Sequence, residues 1–243
     1  MNLKKIIVAA VCALALSAGT FAKNHPYGMD IAIGVLGIDA TSFKVNEIND
    51  GVWNTVKYSY NMIDFFPLKI NTYCCPWLDN HLGIYGSIGL LPGIQFNRKA
   101  SYGGFTATDD DVYGGVALEL MVGPAFGVDL GESSVRFQVG APFHVIGGFT
   151  SCEKTTVIGN YSTTSKMTYE YSAFGLGITP QFRFAANKRC SFVVGADFIF
   201  DFAMNITQKS ERGGWTTSVE LDPSDAFRFY WAPYLGLGIN FGD

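Results

Sequence analysis

Along residues 227–241, apolar side chains alternate with polar or small ones without a break. Phe227, Phe229, Trp231, Pro233, Leu235, Leu237, Ile239 and Phe241 hold one phase; Arg228, Tyr230, Ala232, Tyr234, Gly236, Gly238 and Asn240 hold the other. A period of two is that of a β-strand with unlike faces. The run is far longer than the ordinary strand of about 5–6 residues. It suits a tilted strand that crosses a membrane, which needs about 9–11.

The same period recurs along the chain. Met29, Ile31, Ile33 and Val35 define a first strand over about 27–36, with Asp30 and Ala32 on its other face. A second runs over about 56–70, where Asp64 falls on the apolar phase and a bulge near 64–67 is expected to restore it. Further strands are predicted over 82–96, 116–127, 135–145, 174–184 and 192–202, which makes eight with the last. Polar stretches 39–54, 97–111, 147–166 and 205–225, rich in Thr, Ser, Gly and Asp, read as long loops. They follow strands one, three, five and seven. Short turns at 75–80, 129–133 and 185–190 follow strands two, four and six.

An even strand number, long loops at one end, short turns at the other and both termini on the short-turn side describe a transmembrane barrel. Closure satisfies the strand edges that lipid would leave unpaired. The predicted fold class is therefore all-β, a closed antiparallel transmembrane β-barrel of eight strands. A secreted β-sandwich is the competing reading, but its strands are of ordinary length. Six prolines (67, 92, 124, 142, 180 and 233) lie inside the predicted strands, where each removes a ladder hydrogen bond; bulges or shorter strands are expected there.

The N-terminus agrees with export. Lys4 and Lys5 precede the apolar run Ile6–Leu16 and the small residues before Ala22, which reads as a cleaved signal peptide over 1–22 and a barrel domain over 23–243. Removing 1–22 takes two lysines and no acid, leaving 15 basic against 21 acidic residues, a net charge of −6. That balance argues against a nucleic-acid partner. No later segment has the roughly 20 apolar residues of a membrane helix. Cys74, Cys75, Cys152 and Cys190 match no zinc spacing and leave room for one disulfide.

With its apolar phase toward lipid, such a chain turns the other phase inward. The expected lumenal groups are Asp30, Glu119, Arg136, His144, Arg183, Asp197, Asp201 and Arg228, together with Lys57 and Lys69. Both signs are present, so the groups can pair as a structural plug; a narrow polar conduit is the sharper alternative, favoured by the small residues Gly175, Gly177, Gly195, Gly236 and Gly238. A turn over 129–133 would set Glu119 opposite Pro142 and His144 one diagonal step away, as a candidate acid–base pair. No serine or cysteine nucleophile shares their phase nearby, so no catalytic residue, cofactor or metal is assigned. Asp109–Asp111 reads as a solvated acidic run, with a weak calcium site the next option. Aromatic belts are expected at both strand ends, the outer one including Trp53, Phe96, Tyr113, Tyr169, Tyr171, Phe202 and Trp231.

On these features the chain resembles the small eight-stranded outer-membrane barrels of the OmpA-barrel, OmpX, OmpW and opacity-protein type. The resemblance implies a bacterial outer-membrane location and a final strand read by the barrel assembly machinery. Here that signal would be Leu235, Leu237, Ile239 and Phe241, although Gly242 and Asp243 follow the terminal aromatic, which departs from the family pattern. The expected partners are outer-membrane lipid, the assembly machinery and an extracellular ligand held by the four loops, with the barrel a monomer. The expected function is a non-enzymatic structural or adhesive surface protein. The alternatives are a narrow channel for small or hydrophobic solutes, which the OmpW likeness suggests, and, more remotely, a lipid- or peptide-modifying barrel enzyme.

Overall fold

The computed structural model describes residues 27–49, 52–130, 135–158, 161–186 and 190–241. The expected signal peptide, residues 1–22, and residues 131–133 of the expected turn lie outside them. The chain forms thirteen strand segments: β1 (Tyr27–Gly34), β2 (Leu36–Asn49), β3 (Val52–Phe65), β4 (Leu68–Trp77), β5 (Leu82–Tyr102), β6 (Phe105–Asp109), β7 (Tyr113–Asp129), β8 (Val135–Gly140), β9 (Phe143–Ile158), β10 (Tyr161–Ala185), β11 (Cys190–Arg212), β12 (Trp215–Leu221) and β13 (Ser224–Phe241). Three pairs of segments, β1–β2, β3–β4 and β8–β9, each make one interrupted stave. With β5, β7, β10, β11 and β13 they give eight staves, all antiparallel. The last stave pairs with the first, from Tyr27↔Phe241 to Ser224↔Lys44, so the ring of pairings closes.

The burial pattern is the inverse of a soluble protein. Ile31, Leu176, Phe192, Leu235 and Leu237 are among some three dozen large apolar side chains that face outward, while Asp30, Lys69, Glu119, His144, Asp197 and Arg228 are buried. On β13 the outward apolar run from Phe227 to Ile239 spans roughly 40 Å of strand, or about 30 Å after a tilt of about 40°. That height matches a bilayer's hydrocarbon core. Lipid is the solvent in which such an exterior costs nothing.

The four predicted loops are largely strand. Residues 39–54 form the β2–β3 hairpin, paired to Asn49↔Val52. Residues 97–111 extend β5, turn at Gly103–Gly104 and return as β6. Residues 147–166 pair as β9–β10 up to Ile158↔Tyr161. Residues 205–225 carry β11 to a turn at Gly213–Gly214 and back through β12. Thr, Val and Tyr in these stretches favour a pleated backbone. Both Gly-Gly turns have positive φ at each glycine, as a two-residue hairpin of primed type demands. Above the barrel the wall thus divides into two four-stranded arms, β2–β3–β5–β6 and β9–β10–β11–β12.

Phase slips explain the other departures. In the first stave Ala32 and Gly34 face inward, then Gly37, Asp39 and Thr41 do; the slip is at Val35–Leu36. In the second, Met62 and Asp64 face inward, then Lys69 and Asn71; the slip is at Phe66–Pro67, where Phe66 has φ 50°, within the predicted bulge. The two irregularities adjoin, joined by the Gly34 N–H donating to the Pro67 carbonyl at 2.7 Å. Each slip moves all later side chains to the other face. Lys57 is consequently exposed rather than lumenal. Of the six prolines, 67 and 142 fall at strand breaks, while 92, 124, 180 and 233 lie inside ladders. Three residues expected in the outer belt, Tyr113, Tyr169 and Tyr171, turn inward, the first two beside Arg98.

Candidate functional site: the lumenal ladder and the outer vestibule

The inner third of the lumen is built around Asp30 on β1. Its Oδ1 accepts from Arg183 Nη2 at 2.6 Å, and Arg183 Nε donates to Ser191 at 2.8 Å. Gln181 donates to Gln138 at 2.9 Å and accepts from the Tyr234 hydroxyl at 3.1 Å. Arg183 occupies the volume left by Gly28 and Gly238: a methyl at either would overlap its guanidinium.

At mid-height six staves contribute to one ionic ladder. Lys69 lies between Asp197 and Glu119, 2.6 Å from Glu119 Oε1. His144 joins Glu119 (Nε2 to Oε2, 3.5 Å) to Asp201 (Nδ1 to Oδ1, 2.7 Å). Arg228 joins Asp201 at 2.8 Å to Asp39. Every one of these seven side chains is 2 % exposed or less. Nδ1 of His144 is within hydrogen-bond distance of Asp201, while Nε2 only approaches Glu119, so the two fixed cations of the ladder, Lys69 and Arg228, stand among four carboxylates. Tyr230 packs against Lys69 and Arg228, with each charge about 5 Å from its ring centroid.

Each expected lumenal residue has a definite place. Asp30 and Arg183 form the inner cluster; Glu119, His144, Asp197, Asp201 and Arg228 lie in the ladder. Arg136 is at the inner rim instead, 3.0 Å from Asp129 and bonded to the Asn80 carbonyl. Glu119 stands opposite Ile146, not Pro142, because the strands continue to the Leu130–Val135 bond before turning; His144 is still its diagonal neighbour. Asp39 and Asp64 are lumenal carboxylates that sequence periodicity missed, each displaced by a phase slip. Among the described residues, Asp64 Oδ1, Asp197 Oδ1, both Glu119 oxygens, His144 Nε2 and the Tyr230 hydroxyl have no hydrogen-bond partner. The glycines expected to leave a conduit are filled. A methyl at Gly195 would overlap Tyr234, at Gly177 Ile199, and at Gly175 Asp201. Leu235, Leu237 and Ile239 lie on the outer face, half exposed; the side chain of Phe241 is outside the described set. Among the described residues no cysteine is in a disulfide.

Above the ladder the two arms enclose a narrow vestibule, only about 20 Å³ of which is wide enough to hold water. Phe43, Tyr58 and Tyr60 line it from one arm and Tyr169, Tyr171 and Ile206 from the other. Arg98 reaches across from β5 with its guanidinium 3.7 Å from the Tyr169 ring centroid and 4.7 Å from that of Tyr113. Tyr113 in turn donates to Asp109 at 2.8 Å, and Thr150 to Gln95 at 2.7 Å. Ion pairs on the arms are solvated. Lys44–Asp225 at 2.7 Å holds the Asp225 carboxyl below its ordinary value, and Asp111 at 3.0 Å holds the Lys154 ammonium above its own.

The strand count, closed pairing and apolar exterior define an eight-stranded transmembrane-type β-barrel. Among solved structures it is similar to the outer membrane protein OprG from Pseudomonas aeruginosa, at 12 % identity over 90 % of this chain and 98 % of that one, TM-score 0.46. It is also similar to a major outer membrane protein from Thermus thermophilus, at 14 % identity over 85 % and 99 %, TM-score 0.47. Weaker still is the likeness to the outer membrane protease OmpT from Escherichia coli, at 8 % identity over 89 % and 96 %, TM-score 0.31. No family model and no curated protein matches the chain.

Proposed function

We propose that the protein is an integral protein of a bacterial outer membrane, exported through a cleaved signal peptide, with a non-enzymatic structural or adhesive role at the cell surface. The observation that carries this reading is the contrast between a lumen closed by its own side chains and two long strand arms raised beyond the apolar belt. Tyr73, Tyr85, Tyr230, Tyr234, Lys69 and Arg228 are all essentially inaccessible at mid-lumen, which speaks against a solute path. Glu119 and His144 are buried in ion pairs that a substrate would have to displace, which speaks against the acid–base pair. What remains open to the outside is arm surface and the aromatic vestibule. The barrel's own partners in this reading are outer-membrane lipid and the assembly machinery that would recognise β13.

Two measurements on cells test it together. The protein should fractionate with the outer membrane and migrate faster on a gel before boiling than after. Protease added to intact cells should cut the β5–β6 and β11–β12 hairpins and spare the barrel. A soluble protein whose band ignores boiling would contradict it.

A further inference from the structure

Among the described residues, the hairpin strands β6 and β12 are unpaired along one whole edge, and the two edges differ. β12 pairs only with β11, and β6 only with β5, among the described residues. Unpaired edges are ordinarily guarded by charged side chains, lysine above all, by proline or by a bulge. β12, WTTSVEL, has no lysine, proline or bulge and a single charge, Glu220, and six of its seven residues are exposed on both faces, Trp215 at 83 %. β6, FTATD, is shorter. The gap from β6 to β9 is crossed by the Lys154–Asp111 pair, and Lys44–Asp225 lies at the foot of the matching gap between β12 and β2, so the edges differ in length and sequence.

β12 is also its own complement. In an antiparallel pair centred on Ser218, Trp215 meets Leu221, Thr217 meets Val219, and Thr216 meets Glu220. Apolar and β-branched residues then share one face and polar residues the other, as cross-strand pairing favours. The same operation on β6 would set Phe105 against Asp109. We infer that the free edge of β12 is a strand-addition site for the β12 edge of a second copy of this chain.

Symmetry sets where that copy sits. An identical-surface contact between two copies has a two-fold axis, and for two strand edges that axis makes the strands antiparallel. β12 runs from the hairpin apex back toward the barrel, and it does so in every copy in one membrane. Its antiparallel partner must therefore hang from an opposed membrane. The contact is homophilic and joins two surfaces, leaving each barrel alone in its own bilayer. One seven-residue pair is weak; many pairs between two surfaces bind by multivalency. This rests on the surface location proposed above and gives the adhesive role a partner.

The test uses the mature protein in phospholipid vesicles of two fluorescent colours. Wild-type vesicles should cluster with one another and not with protein-free ones. Ser218→Glu should reduce clustering about tenfold or more, because like charges then face each other across the pair. Within its own chain that glutamate lies opposite Lys209, so the hairpin is retained. Vesicles of Ser218→Lys, made together with Lys209→Ser so that no like charge faces it within its own hairpin, should likewise stay dispersed, while mixing the two variants should restore clustering. Clustering of Ser218→Glu vesicles at the wild-type level, or a mixture no better than either variant alone, overturns the inference. Wild-type vesicles that stay dispersed overturn it alone where boiling shifts the band and external protease reaches the hairpin. If the band does not shift, the surface reading falls with it.

Discussion

The ion pairs inside the barrel and those on its arms have similar lengths and opposite surroundings. Arg228 lies 2.8 Å from Asp201 and Lys154 3.0 Å from Asp111, yet the first pair is 2 % exposed or less and the second has an ammonium 66 % exposed. Water screens the arm pair, and holding two long side chains in one geometry offsets its small gain. The lumenal pair has no water to fall back on, so each charge depends on the partner the fold supplies. Distance alone therefore says little; the ladder is a closure element because it is dry and continuous across six staves.

The largest effect should follow from breaking the ladder where one cation serves two acids. Arg228→Met strands Asp39 and leaves Asp201 to His144 alone, and is expected to cost about 3–5 kcal/mol, read from urea unfolding of the vesicle-reconstituted barrel. Adding Asp39→Asn and Asp201→Asn should recover most of that loss; no recovery would mean that the packing of Arg228 on Tyr230 matters more than its charge. Next comes the exterior. Ile178→Arg, near the middle of the outward run Phe174–Phe184, should cost about 2–4 kcal/mol in the same measurement if that face meets lipid. In detergent-free water a soluble sandwich would instead tolerate it. His144→Asn is expected to cost less, about 1–3 kcal/mol, since an amide still satisfies one of the two carboxylates. Smallest of all, Lys154→Ala on the arm should leave the unfolding midpoint unchanged.

The lower half of the molecule was largely legible in the sequence and the upper half was not. Below the slips the period of two runs cleanly, and apolar Ile31, Leu176 and Leu237 took their faces from it. Above them the pattern fails for two physical reasons. Bulges at Val35–Leu36 and Phe66–Pro67 reverse the faces, which hid Asp39 and Asp64 and misplaced Lys57. The arms, wet on both sides, have no need to alternate greasy and polar residues, so strands such as WTTSVEL read as loop. The clue available was the spacing of Gly103–Gly104 and Gly213–Gly214, each a two-residue turn followed by an aromatic residue. Glycines facing the lumen misled in the other direction, since they seat Arg183, Tyr234 and Ile199 rather than leave space.

The central claim is that side chains close the lumen of a membrane-inserted barrel, and single-channel recording across a planar bilayer tests it most directly. Protein shown to be inserted by its band shift should give a silent bilayer, with steps appearing only when the ladder is cut, as in a Lys69→Ala, Arg228→Ala variant. Steady stepwise conductance from the wild-type protein would contradict the account.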